Sequence, residues 1–229
     1  MRLGRWRCGL AIMSAVISCH RDPPPPAETS AERLLSYVDL QLAFGPRPPA
    51  SPAHAAMAQW LDSIVRAKAD TVIVDSWTAV DLLFVDGEDY GDFTDSTETL
   101  LGSRRFARTV RGEYRPRLAI VWDMVADADQ QFLQEGYSVT GVPTEVEAVW
   151  KCAARLGYAA QFVDRVSQGV IDDHLPLQRA GLDAIDVIDL QYGPDNTWHH
   201  TTEDTRDKIS GASLARVTHV ATALLRGCG

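Results

Sequence analysis

The sequence predicts an α/β protein with a mainly parallel sheet, and two observations support this fold class. Short apolar segments of strand length alternate along the chain with amphipathic segments of helix length, which is the order that crossover helices between parallel strands produce. The chain has 229 residues, of which 45% are hydrophobic and 23% charged. That length and composition suit one domain with a sizeable core.

The elements follow from the local patterns. Helices are predicted where apolar residues recur at every third or fourth position, and Ser30 is placed to cap the first of them. Strands are predicted where short β-branched runs are bounded by polar residues. The predicted helices are 30–43, 51–69, 100–110, 143–158 and 210–227, and the predicted strands are 70–77, 79–86, 116–125 and 182–190.

The N-terminus has the pattern of an export signal. Residues 1–19 contain three arginines and then a short apolar stretch, which is typical of a secretory signal and too short for a good membrane span. The stretch ends in VISC, which resembles a bacterial lipobox with Cys19 as the residue that would be lipidated; ordinary signal cleavage nearby is the alternative. Residues 20–31 include four consecutive prolines and form a stiff spacer before a domain at 32–229. We therefore expect an exported protein of the cell envelope or periplasm, attached to the membrane only through a lipid anchor.

Charge and cysteine content narrow the functional classes. The net charge of -9 argues against nucleic-acid binding through a basic surface. Beyond the signal region only Cys152 and Cys228 remain. They could form one disulfide in an oxidising compartment, but the sequence does not show whether they lie close together.

Carboxylates and histidines follow the predicted strands at the ends where α/β sheets bind ligands. Each alone has an ordinary interpretation as a solvated turn, a surface histidine pair or a helix cap. Together they are the groups that a zinc site with an adjacent carboxylate base requires. The residues are Glu88, Asp89, Asp123, Asp172, Asp173, His174, His199 and His200.

These segments resemble metallopeptidase family 28, which contains zinc aminopeptidases and glutaminyl-peptide cyclotransferases. The resemblance covers residues 32–226 and rests on blocks in the family's order: FGPRPPASPAH, LLFVDGEDYGDF, VWDMV, DDHLPLQRAGLDAIDVIDL and WHHTTEDTRDKIS. The form DDHLP and the tryptophan before the histidines favour the cyclotransferase branch. The resemblance implies a three-layer sandwich in which helices flank a mainly parallel central sheet.

The resemblance also implies roles for individual residues. Glu88 corresponds to the general base and Asp173 to a second carboxylate that handles protons in cyclotransferases. Asp89 corresponds to a zinc ligand, and Asp123 to the acid that binds a second zinc in peptidases or joins a hydrogen-bond network in cyclotransferases. His200 corresponds to the zinc-binding histidine, or His199 if the register shifts by one. One zinc is implied in the cyclotransferase and two in the aminopeptidase.

The sequence departs from the family between the predicted strands at 70–77 and 79–86. Two family blocks, H-x-D and G-A-[NT]-D, are absent there, where the family has roughly seventy more residues. The Thr78-Ala79 junction suits neither a tight hairpin nor a parallel crossover, so we expect an internal deletion at about Trp77–Val80. The deletion would remove a central strand, its crossover helix and zinc ligands, would expose an apolar edge, and would weaken zinc binding.

Three functions follow from the resemblance. The first is a glutaminyl-peptide cyclotransferase-like zinc enzyme acting on the N-terminus of a peptide or protein. The second is a zinc aminopeptidase of the same family. The third is an inactive family-28-like binding domain or truncated product, which the missing blocks favour if the junction is genuine.

Overall fold

From residue 119 onward, parallel strands are followed by helices, as the sequence pattern predicts. The computed structural model describes residues 29–48, 50–69, 80–91, 99–110 and 114–228. The helices within this part of the chain are α1 (Ala31–Leu42), α2 (Pro52–Ala69), α3 (Leu101–Thr109), α4 (Gly136–Gly141), α5 (Pro143–Arg155), α6 (His174–Arg179) and α7 (Gly211–Leu225). The strands are β1 (Ala119–Asp123), β2 (Phe132–Gln134), β3 (Phe162–Val166) and β4 (Ala184–Ile188).

The strands pair in parallel, which confirms the predicted α/β class. β1 pairs with β4 from Ala119 opposite Ala184 to Asp123 opposite Ile188. β2 pairs with β3, starting with Phe132 opposite Phe162, and the register shifts near the end of β2. Parallel strands point their carboxyl ends the same way, so the polar residues that follow β1 and β4 are brought to one edge.

Helices cover both faces of β4. Ile185 and Val187 point to one face, where they join a buried cluster with residues of α5 and α7. Ala184 points to the other face, where it packs with Leu177 of α6 and Phe106 of α3. Because side chains alternate along a strand, this arrangement gives the layered architecture that the resemblance implies.

Several short elements are additional to the predicted ones. β2, α4, β3 and α6 have only three to six residues each. A helical period does not stand out in the six residues of α4 or α6, and β2 has only three residues. β3 is also mostly exposed beyond Phe162, and its sequence FVDRV contains an acidic and a basic residue.

The prediction of a buried strand at 79–86 is wrong for the part that the structure describes, residues 80–86. This segment has no strand pairing there, and Leu82, Leu83 and Phe84 are exposed to 70%, 45% and 56%. At its end, the carbonyl of Asp86 instead accepts a hydrogen bond from the N–H of Gly102 in α3. An apolar run without a neighbouring strand cannot enter a sheet, whatever its own β propensity.

Other predictions concern residues outside the described ranges. These are the signal region 1–19 with Cys19, most of the proline-rich linker 20–31, the strand at 70–77 and the Thr78-Ala79 junction. Among the described helices, none is long and apolar enough to span a membrane. Cys152 and Cys228, which the sequence left open, are joined by a disulfide that ties α5 to the chain end after α7.

Candidate active site

The Glu88 loop, residues 86–89, is held against the start of α3. The backbone N–H groups of Leu100, Leu101 and Gly102 donate to the carbonyls of Glu88, Gly87 and Asp86 at 2.9–3.0 Å. The first N–H groups of a helix have no partner within the helix, so this loop supplies their acceptors. The loop that carries Glu88 is therefore fixed by backbone contacts even though the segment before it is not part of a sheet.

A side-chain contact with α2 also holds this loop. His54 Nε2 of α2 lies 2.8 Å from Asp86 Oδ2. Asp86 Oδ1 accepts from the N–H of Gly87, whose φ of +69° suits glycine. The position of Glu88 thus depends on α2 as well as α3.

Four aspartates gather around Glu88. Asp89 adjoins it, Asp123 ends β1, and Asp172 and Asp173 precede α6. Burial of Glu88, together with the carboxylates of Asp172, Asp123, Asp173 and Asp89, raises the pKa of Glu88 to about 8. A carboxyl group whose pKa lies near neutrality can both accept and donate a proton under ordinary conditions.

Asp123 connects this acidic group to the histidine pair. Burial raises the pKa of Asp123, while the N–H of Met124 and the nearby His199 and His200 act in the opposite direction. The two imidazole rings lie with their centroids 3.9 Å apart. Burial and the neighbouring His200 lower the pKa of His199, which favours its neutral form.

Asp172 and Asp173 are the most buried acids that the sequence placed at the site. Their exposures are 4% and 7%. Burial and the charge of Asp123 raise the pKa of Asp172 to about 6. Burial likewise raises the pKa of Asp173, although the Ser103 hydroxyl on α3 opposes the effect.

The predicted metal ligands do not assemble into a zinc site in the described part of the chain. No set of three or more histidine, cysteine or acidic side chains there has the geometry to hold a metal ion. Asp89 and His200 are exposed and Asp123 is half-buried. A catalytic zinc usually has three protein ligands, so the side chains present do not fit it. The roles of Asp89, Asp123, His199 and His200 as ligands stay predictions.

Sequence reasoning missed two acids, Asp186 and Glu135, both of which are 0% exposed. Asp186 lies in the middle of β4, and Glu135 caps the start of α4. The signal for Asp186 was present, because an acid inside the apolar run AIDVI has no solvated interpretation. Glu135 follows the short β2, and the sequence near it has no comparable signal.

Comparison with known proteins identifies the family. The model of peptidase family M28 matches residues 56–225, and the chain belongs to this family. A comparison with curated proteins finds no match.

Solved structures share the fold. A glutaminyl cyclase from Porphyromonas gingivalis aligns with a TM-score of 0.75 and 23% identity, over 88% of this chain and 99% of its own. A glutaminyl cyclase from Bacteroides thetaiotaomicron, bound to N-acetylhistamine, aligns with a TM-score of 0.77 and 22% identity over 89% and 99%. A Zn-dependent exopeptidase from Parabacteroides distasonis aligns with a TM-score of 0.73 and 20% identity over 87% and 98%.

Proposed function

We propose that this chain acts on the N-termini of peptides as a glutaminyl-cyclase-like enzyme. The observation that carries the proposal is the convergence of Asp123, Asp172 and Asp173, from two separate segments, on Glu88. An acidic cluster of this kind attracts the α-ammonium group that marks a peptide N-terminus. The likeness to several glutaminyl cyclases supports this choice within the family.

The reaction closes an N-terminal glutamine into a ring. The α-amine nitrogen attacks the side-chain carbonyl carbon, a new C–N bond forms, and the bond to the side-chain nitrogen breaks to release ammonia. After the α-ammonium has lost a proton to solvent and become the neutral amine, one further proton passes from the amine nitrogen to the departing nitrogen. Glu88 is the group that accepts and returns this proton, and the charge of Asp173 helps to raise the pKa of Glu88.

Zinc belongs to the proposal only as an expectation from the family. A structural neighbour is described as Zn-dependent, but the side chains present do not form a three-ligand site. The steps above are therefore assigned to carboxyl groups of this chain alone. A separate measurement, the zinc content of the purified protein, decides whether this chain binds zinc.

An aminopeptidase is the second candidate, because the exopeptidase neighbour shares the fold. Peptide hydrolysis must make a nucleophile from water, whereas cyclisation uses the substrate's own amine. Cyclisation therefore does not require the site to activate a water molecule, and the carboxyl groups present need only transfer a proton.

The location proposal follows from the N-terminus. We propose that the protein is exported and anchored through Cys19, with residues 20–31 as a spacer. The Cys152–Cys228 disulfide supports an oxidising compartment. Labelling of expressing cells with a palmitate analogue tests the anchor, and a Cys19→Ala variant that is still labelled would contradict it.

The activity test uses a glutaminyl and a leucyl peptide with the wild type, Glu88→Gln and Glu147→Gln. Glu147 is an exposed acid on α5 that pairs with Lys151, so its variant controls for the loss of a carboxylate elsewhere. Ammonia release from the glutaminyl peptide that is lost only in Glu88→Gln supports the cyclase. Leucine release supports the aminopeptidase. A folded wild type that releases neither product would overturn the enzyme proposal and favour a binding domain.

A further inference from the structure

His174 lies between two buried acids beneath the candidate active site. It is the first residue of α6 and is 0% exposed. Its Nε2 is 3.2 Å from Glu135 Oε2, and its Nδ1 is 3.7 Å from Asp186 Oδ2. Both acids are themselves 0% exposed. A buried imidazole with a carboxyl group on each side is costly unless protons are shared among the three groups.

Glu135 is a fixed, ionised acceptor. Its two carboxylate oxygens accept from the backbone N–H groups of Tyr137, Ser138 and Val170 and from the Ser138 hydroxyl, at 2.7–2.9 Å. Burial alone would raise the pKa of Glu135, but hydrogen bonds from His174 and Ser138 and from the backbone outweigh it and lower the pKa to about 2. A carboxylate 3.2 Å from Nε2 favours the ring tautomer that carries its proton on this nitrogen.

Asp186 differs from Glu135 in both its hydrogen bonding and the direction of its pKa shift. Neither of its side-chain oxygens accepts from an N–H or hydroxyl donor among the described residues, and its hydrogen-bond contact is with the carboxyl group of Asp172. Burial and the neighbouring Asp172 raise the pKa of Asp186 well above its ordinary value. A hydrogen bond between two carboxyl groups requires a proton on one of them, so Asp186 and Asp172 share one proton.

The strand register connects this group to the active site. Asp186 pairs with Val121, and Asp123 lies two residues further along the same strand. Residues two apart in a strand share a face, so Asp186 lies beneath Asp123 on the face where Asp172 and Glu88 meet. One oxygen each of Asp172 and Asp173 is also buried without a described partner. Asp172 and Asp173 in turn raise the pKa of Glu88.

We propose that Glu135, His174 and Asp186 form a positioning array that holds one shared proton against Asp172 and thereby orients the Asp172–Asp173 segment toward Glu88. The array rests on the proposed function, because its role is to orient the carboxyl groups that take part in the proposed proton transfer. The contact of Glu135 with Nε2 fixes the orientation of the His174 ring. The ring then places its Nδ1 beside Asp186 and limits where the Asp186 carboxyl group can lie. None of the three touches the substrate, so their role is positioning.

The first test does not require activity. Side-chain nitrogen NMR of the folded protein is compared for the wild type, Asp186→Asn and His219→Gln. His219 is a control because it bonds to Tyr158 through one ring nitrogen, away from the site. We expect a proton fixed on His174 Nε2 in all three, and a changed Nδ1 resonance only in Asp186→Asn. An Nδ1 resonance that is the same in the wild type and in Asp186→Asn overturns the array.

The second test separates positioning from general stability. Loss of an orienting partner costs about 10–100-fold in comparable sites, so we expect kcat for the glutaminyl peptide to fall by that factor in Asp186→Asn. KM should stay within about twofold and the control variant should match the wild type. Asp186→Asn that retains full kcat overturns the array. A wild type without ammonia release refutes the proposed function instead, and the NMR comparison then still decides the array.

Discussion

A β-carbon placed on Gly102 would lie 2.5 Å from the backbone nitrogen of Asp86 and 2.7 Å from its carbonyl oxygen. The first turn of α3 and the loop carrying Glu88 are therefore in direct backbone contact. Because backbone atoms cannot move aside as a flexible side chain can, the residue at 102 controls where Glu88 lies.

Gly102→Ala should displace the Glu88 loop. We expect kcat for the glutaminyl peptide to fall at least tenfold, since small misplacements of a catalytic group can cost about a hundredfold. Steady-state kinetics measures this. Arg105→Ala, at an exposed position on the same helix, is the matched control and should retain activity. Full activity in Gly102→Ala would mean that the loop position does not matter for the reaction.

Removing the disulfide should destabilise the fold. Cys152 and Cys228 are 76 residues apart, and closing a loop of this length stabilises a protein by about 4 kcal/mol. Urea denaturation of the wild type, with and without reductant, measures the loss. The double variant Cys152→Ala/Cys228→Ala should show the low stability already and should not respond to reductant. Equal wild-type midpoints in both conditions would contradict the prediction.

Glu135 should make stability depend on acid pH. Its pKa in the folded state is about 2, below the ordinary value of 4.5. A lowered pKa contributes stability that is present above pH 4.5 and is lost as pH falls toward 2. In Glu135→Gln we therefore expect a lower free energy of unfolding at pH 7, and a difference from the wild type that narrows between about pH 4.5 and 2.

The matched control for that experiment is Glu147→Gln, which removes an exposed acid. Its free energy of unfolding should follow the wild type throughout the pH range. A gap between Glu135→Gln and the wild type that stays constant with pH would show that Glu135 contributes through packing and not through its charge.

The exposed apolar segment at 80–86 should promote self-association. Leu82 is 70% exposed and Phe84 is 56% exposed, and extended apolar segments without a partner strand favour aggregation. Leu82→Lys should reduce the aggregated fraction measured by light scattering, with little change in the unfolding midpoint. Leu225→Lys, at a 51% exposed position on α7, is the control. An equal reduction in both variants would indicate a general charge effect.

Much of the fold could be predicted because its signals are local. The capped helix after Ser30 and the apolar runs of β1 and β4 follow from side-chain periodicity, which short stretches of sequence contain in full. The predicted strand at 80–86 failed because strand formation needs a partner, and no property of Leu82 or Phe84 reports whether a partner exists. Asp186 lies inside the apolar run AIDVI and could have been predicted as a site residue from the sequence.

The sequence by itself determined the family and the order of the blocks, and with them the acids Glu88, Asp123 and Asp173 as candidates. Residue identity and spacing are sufficient for that purpose. Only the tertiary structure decided which groups surround one another: that Asp172 and Asp123 lie beside Glu88, that Cys152 meets Cys228, and that His174 lies between Glu135 and Asp186. These are contacts between distant parts of the chain, and their pKa shifts arise from burial and neighbouring charges that exist only after folding.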